Sequence, residues 1–220
     1  MVQLFIGLFT EGTTDQRFLK SIVEKSFIYI GMECNSDIEI FVQPIKIDKT
    51  GLVFSEQTIE ASRIGIEKFG ISVLCLHSDA DDKTDNVAFQ KINKAVEELQ
   101  NKDNLFCKLV TPVVPVQMIE AWLLADKELL KKQIGTNKSD IELQINRNPE
   151  LIADPKTIIE NAIRIAREGL SKRRRKDLTI GELYLPIGQK IEIEKLNTLP
   201  SFRKFIAAVR KTYRDLNYLT

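Results

Sequence analysis

The chain has 220 residues, which at roughly 100–200 residues per domain means one domain, or one domain with an appendage. Its hydrophobic fraction of 43% and charged fraction of 29% exclude a disordered chain, and a net charge of only +1 excludes a uniformly basic coat protein or an acidic solvating tail. There is one histidine, His77, so a zinc finger, a multi-histidine metal site and H-E-x-x-H chemistry are excluded, and any metal must be held mainly by carboxylates.

Cys34, Cys75 and Cys107 are widely spaced, odd in number and free of any C-x-x-C pattern. They read as reduced thiols in a cytosolic protein. No apolar run approaches the roughly 18–20 residues that a membrane span needs. Met1 to Phe9 is apolar but short and lacks a basic leader, so it reads as a buried strand rather than a signal peptide.

In chain order, the run Leu4 to Phe9 predicts a parallel strand covered on both faces. Thr13-Thr14-Asp15 is a helix start. Phe18, Leu19, Ile22, Val23 and Phe27 then recur at helical spacing. Ile38 to Val42 predicts a second strand, and Lys49-Thr50-Gly51 a turn. Gln57 to Phe69 predicts a helix, Ile71 to Leu76 a third buried strand, and Phe89 to Leu99 a third helix. Phe106 to Val116 is β-rich but broken by Pro112 and Pro115, which suits a short edge strand. Ile119, Trp122, Leu123, Leu129 and Leu130 lie on one helical stripe. Later helices are expected from Lys156 to Gly169 and around Phe202 to Tyr213, after a polar stretch from Gly135 to Asp154.

The β-α alternation implies an α/β fold: an open, mostly parallel sheet with helices on both faces, spanning residues 1–130, plus a mainly helical basic appendage over 131–220 packed on it. Ligands of such sheets gather at the carboxyl ends of the strands, where the strand order reverses. The first strand ends in Glu11, with Asp15 four residues on, and the third ends in Asp79-Ala80-Asp81. If these two strands are neighbours, as in a 2-1-3-4 order, four carboxylates converge. Their repulsion calls for a hard divalent cation, Mg²⁺ or Mn²⁺. Two such ions would suit a phosphodiester displacement. Taken singly, each piece has a plainer use: Asp15 as a helix cap, the Glu11-Gly12 pair as a polar turn, the Asp79-Asp81 segment as a solvated loop.

Thr10-Glu11-Gly12-Thr13-Thr14-Asp15-Gln16-Arg17-Phe18 resembles the glutamate motif of the Toprim fold, E-G-x-T-D-x-x-F, and His77-Ser78-Asp79-Ala80-Asp81 resembles its D-x-D motif. Pro115 to Asp126 is similar to the P-V-x-x-I-E-A-W-L-L-A-D box of a compact bacterial family of unknown function with a Toprim-like core. Asp154-Pro155-Lys156 and Pro200-Ser201-Phe202 resemble later landmarks of that family. That family is similar in turn to Toprim nucleases of the overcoming-lysogenization-defect type. The resemblance implies a Mg²⁺-dependent nuclease, an anti-phage defence effector working with an ABC- or SMC-like ATPase. It makes Glu11 a metal ligand and acid–base group, Asp79 and Asp81 metal ligands with it at the catalytic centre, and Asp15 a further ligand. Topoisomerase chemistry is not expected, because Tyr29, Tyr184, Tyr213 and Tyr218 lie in no recognised motif and strand-gating domains are missing.

Glu120 either borders the site as a ligand to a second metal or sits in solvent. Trp122 is expected in the core. His77 is expected at a strand end, hydrogen-bonding an aspartate or assisting proton transfer. Residues 164–176 hold seven basic residues against one acid, and residues 203–214 hold five with none. The run Lys172, Arg173, Arg174, Arg175 and Lys176 is the expected holder of a nucleic-acid backbone, DNA or RNA. Two other readings stand beside the nuclease: a non-catalytic adaptor or regulatory subunit, and a small-molecule phosphoesterase. No membrane partner is expected, and a homo-oligomer is left open.

Overall fold

The first strand, β1 (Val2–Phe9), reads apolar on both faces because both are covered. The computed structural model describes residues 2–168 and 178–220. Within them β1 pairs in parallel with β2 (Ile38–Pro44) on one side and with β3 (Val73–His77) on the other. A short β4 (Val110–Val113) pairs in parallel with β3 at the edge. The strand order is β2-β1-β3-β4, so the direction of winding reverses between β1 and β3.

Side chains of successive strand residues alternate between two cores. Leu4, Ile6 and Leu8 of β1 join Val73 and Cys75 of β3 on one face, while Phe9, Leu74 and Leu76 join the other. The first face is covered by α1 (Thr13–Gly31), whose Phe18, Leu19, Ile22, Val23, Phe27 and Ile30 are fully buried. The second carries α2 (Phe54–Phe69) and α3 (Asn86–Gln100). Enclosing each such leucine contributes about 1.5–3 kcal/mol relative to exposure. α2 begins three residues before the expected Gln57, because the Glu56 carboxylate reaches back to accept from Val53 N at 2.9 Å.

The single stripe expected from Ile119 to Leu130 is two helices, α4 (Ile119–Leu123) and α5 (Lys127–Ile134). Asp126 interrupts them: its carboxylate accepts from Leu129 N at 2.9 Å and starts the second helix afresh. Then come α6 (Pro155–Arg167), α7 (Tyr184–Lys190), α8 (Ile193–Leu196) and α9 (Pro200–Asp215). The two short helices α7 and α8 carried no clear periodicity. The apolar faces of the later helices belong to the same core as α1 and the sheet. α7 lies on α1 so closely that a Cβ on Gly188 would stand 2.7 Å from Phe18 O. The Lys25 ammonium of α1 then crosses to the end of α7, donating to Gly188 O, Gln189 O and Ile191 O at 3.1, 2.6 and 2.8 Å. Among the described residues, no helix is long and apolar enough to cross a membrane. Cys34 is partly buried and Cys75 and Cys107 are buried, all three as free thiols.

Candidate functional site

β1 hands the chain to α1 through a tight turn. Thr10 Oγ1 donates to Gly12 O at 2.6 Å, and Gly12 N donates to Asp15 Oδ2 at 2.7 Å. A Cβ on Gly12 would lie 3.0 Å from that same carboxylate oxygen, so the glycine leaves Asp15 its room. The Lys49 ammonium ties the turn down from the β2–α2 loop, donating to Thr10 O at 2.8 Å and Glu11 O at 2.6 Å. Asp15 is thus both a helix-start residue and a member of the acidic cluster.

β3 delivers the second group. His77 shares the alternation of Val73 and Cys75, hence the face of α1, and is fully buried. Its Nε2 lies 3.2 Å from Asp79 Oδ1 and its Nδ1 3.8 Å from Asp15 Oδ2. The ring therefore stands between a carboxylate from each strand tip, with Nδ1 lacking any hydrogen-bond partner. Burial pushes its pKa down, but the hydrogen bond and charge of Asp79, then the charges of Asp15 and Glu11, outweigh burial and raise it.

Buried Ser78 donates to Glu11 Oε1 at 2.8 Å, closing the gap between the two strands. The Lys91 ammonium of α3 reaches the same oxygen at 2.7 Å and lies 3.3 Å from Ser78 Oγ. For Glu11, partial burial works to raise the pKa. The hydrogen bonds from Lys91 and Ser78, with the charges of Lys91 and His77, prevail and hold it below the usual carboxylate range.

Beyond Asp79 the loops after β3 and β4 are zipped together. Ala80 N donates to Pro115 O, Asp81 N to Gln117 O and Gln117 N to Asp82 O, at 3.0, 2.8 and 3.0 Å. Asp81 and Gln117 both take left-handed backbone conformations, φ 52° and 60°, which aspartate tolerates better than most residues. The zipper positions α4, and with it Glu120. Glu120 is buried, and it accepts a hydrogen bond from the Tyr184 hydroxyl of α7. Burial raises the Glu120 pKa and the nearby charge of Asp79 adds to that, against the Tyr184 hydrogen bond and Lys156. Burial, then Glu120, Asp15 and Asp79, raise that of Tyr184.

His77 thus stands between Asp15 and Asp79, Ser78 ties Glu11 to the residue before Asp79, and Glu120 is near enough to feel Asp79. Asp81 is exposed and its carboxylate takes no hydrogen bond among the described residues. Glu120 is not in solvent, the plainer of its two expected places. Among the described residues, no three acidic, histidine or cysteine side chains are drawn close enough to form a ready metal cage. Lys91 supplies positive charge instead, 2.7 Å from Glu11 Oε1. The oxygen-rich donors nevertheless suit a hard divalent ion, provided Lys91 yields its place on Glu11.

The run Lys172 to Lys176 lies outside the described residues. In the second basic run most charges are already engaged: Lys204 with Asp85 and Arg210 with Glu33, both at 2.5 Å, and Lys211 with Asp215 at 2.6 Å. The lysines beside the carboxylates come from the sheet domain. Lys46 and Lys49 line a cavity of about 370 Å³ with Thr10, Glu11 and Gly12, and Lys91 and Lys94 line one of about 240 Å³. Neither these lysines nor Tyr184 carry a sequence signal: a lysine in a loop or on the polar face of an amphipathic helix is the commonest sight there is.

No curated protein and no solved structure matches the chain. A family model described as a domain of unknown function, DUF4276, matches residues 10–210, from the turn before Glu11 to the last helix, and the chain belongs to that family.

Proposed function

We propose that this protein is a Mg²⁺- or Mn²⁺-dependent nuclease that hydrolyses phosphodiester bonds of DNA or RNA. The observation that carries the reading is the meeting of Glu11 with the Ser78–Asp79 strand tip, at the reversal point of the sheet. The Toprim-like glutamate and D-x-D motifs support it. Glu11, Asp15, Asp79, Asp81 and Glu120 would hold the ion or ions. The metal would supply charge stabilisation at the phosphate and a water of lowered pKa. Ser78 and His77 orient Glu11 and Asp79 for that task, and Lys46, Lys49, Lys91 and Lys94 offer phosphate contacts at the rim. The 172–176 run would extend that contact along the backbone. An ABC- or SMC-like ATPase as partner, and anti-phage defence as setting, belong to the same proposal.

The test is cleavage of DNA and RNA by the purified protein with Mg²⁺ or Mn²⁺, alone and with a neighbouring ATPase. Glu11→Ala and Asp79→Ala are expected to abolish it. Cleavage that survives both changes would remove this site from the reaction. The Lys91–Glu11 pair favours one second reading, a non-catalytic adaptor whose acidic site is permanently neutralised by its own lysine. That reading expects no Mn²⁺ uptake at any concentration that leaves the fold intact.

A further inference from the structure

We propose that Lys91 is a built-in counter-ion that the divalent metal displaces from Glu11, and that the displaced ammonium then serves as a ligand for the substrate phosphate. The inference rests on the nuclease reading above and adds an order of events to it: metal first, phosphate second.

Two observations and one charge argument lead there. Lys91 Nζ and Ser78 Oγ both approach the same oxygen, Glu11 Oε1, at 2.7 and 2.8 Å. A metal on Glu11 would face an ammonium at contact distance, and the two cations repel. Ser78 is buried and carries no charge, so it can stay; Lys91 cannot.

The lysine has somewhere to go. Its side chain is 40% exposed, and four methylenes let the charge swing while the stem stays in place. The ammonium already sits 4.2 Å from the centre of the Phe54 ring. Beside it is the 240 Å³ groove lined by Val53, Phe54, Ser55, Lys91 and Lys94. An ammonium parked there stands beside Lys94, in a groove that no acidic side chain lines. A phosphate oxygen arriving at a metal on Glu11 is the anion it would meet. Before metal binds, the same ammonium is held by Glu11, so the phosphate subsite is incomplete.

Lys49 does not share this role. It is bonded to two backbone carbonyls of the β1–α1 turn, which a metal on the carboxylate leaves untouched.

The experiment is a titration with Mn²⁺ alone, followed by calorimetry or by the electron paramagnetic resonance of free Mn²⁺. It compares the natural protein with Lys91→Met and Lys94→Met. Methionine keeps an apolar stem on Phe54, and both positions are on the surface, so neither variant puts the fold at risk. Lys91→Met is expected to bind Mn²⁺ about two- to fivefold more tightly, as loss of one exposed competing ion pair implies. Lys94→Met, which removes an equal charge one turn away, is expected to leave the affinity unchanged. Equal or weaker binding by Lys91→Met overturns the exchange while leaving the metal site standing. Equal tightening by both variants reduces it to net charge and overturns it as well. If none of the three proteins takes up Mn²⁺, the nuclease reading and this inference fall together.

Discussion

Tyr184 of α7 donates its hydroxyl hydrogen to the buried carboxylate of Glu120 on α4, and so joins the C-terminal helices to the edge of the acidic site. Removing the hydroxyl with Tyr184→Phe leaves a buried carboxylate without its donor, a loss of about 1–3 kcal/mol. The loss is expected to depend on pH. Glu120 has a folded pKa above its unfolded value of 4.5, so its contribution is most favourable below that value and fades as pH rises through the folded pKa. The hydroxyl limits that fading by stabilising the ionised form. Urea unfolding of the natural protein and the variant should therefore differ more at pH 7.5 than at pH 4.5. A difference that is equal at both values would mean that Glu120 stays in one protonation state.

The single tryptophan reports on a second joint of the same kind. Trp122 is fully buried, donates from Nε1 to Ser201 Oγ at 2.7 Å, and meets Phe202 edge-on at 5.1 Å between ring centres. Ser201 N in turn donates to the buried Glu150 carboxylate at 2.9 Å. Ser201→Ala strands the indole N–H and is expected to cost about 1–3 kcal/mol. Tryptophan emission gives the measurement directly, since unfolding carries the only indole from the core to water. An unfolding midpoint unmoved by the change would show that the indole finds another acceptor.

These joints explain why some of the chain was legible and some was not. The apolar strands and α1 announce themselves because burial on two faces leaves no room for polar residues. The pairing of β1 with β3 made Glu11 and Asp79 legible too, since a strand tip is a position along the chain. The Pro115–Asp126 box and the two later landmarks carry a family resemblance in sequence, and several of their residues have architectural uses. Trp122, Ser201 and Phe202 knit α4 to α9, Asp126 starts α5, and Asp154 caps α6 by accepting from Thr157 N at 2.9 Å. Glu120 of that box lies near enough to Asp79 to feel its charge. Lys91 and Tyr184 stayed hidden because their roles depend on how helices dock, which hydrophobic spacing along one helix does not encode. The split between α4 and α5 escaped for a related reason: a stripe of apolar residues continues across a capped break when both helices face the same core.

Gly188 is where docking of α7 on α1 is most exacting. An alanine methyl would approach Phe18 O to 2.7 Å and Phe18 Cα to 3.2 Å, and the obstacle is backbone rather than a side chain able to turn away. Gly188→Ala would ordinarily stabilise a helix. Here overpacking is expected to win, with a net loss of about 1–3 kcal/mol. Because Tyr184 lies one turn earlier on α7, the shift should also disturb Glu120. Thermal unfolding checks the first part. A variant as stable as the natural protein would mean that α7 can back away from α1 without loss.

Ser78 offers the cleanest separation of site from scaffold. Its hydroxyl donates to Glu11 Oε1 and so fixes one oxygen of the residue on which the metal reading depends most. Glu11 is otherwise partly exposed, with Lys91 as its only other side-chain donor among the described residues. If Lys91 leaves when metal binds, Ser78 alone holds the carboxylate in register. Ser78→Ala removes one small polar group that already sits at the end of a strand, so the fold is expected to lose little beyond a single hydrogen bond. Groups that orient metal ligands from behind are worth about 10–100-fold in metal affinity or activity. Ser78→Ala is therefore expected to weaken Mn²⁺ binding by that order, whereas Lys91→Met strengthens it. Opposite signs from two neighbours on one carboxylate oxygen are hard to obtain from a general change in charge or stability. Should both variants weaken the metal, Lys91 would be a supporting group like Ser78 and not its rival.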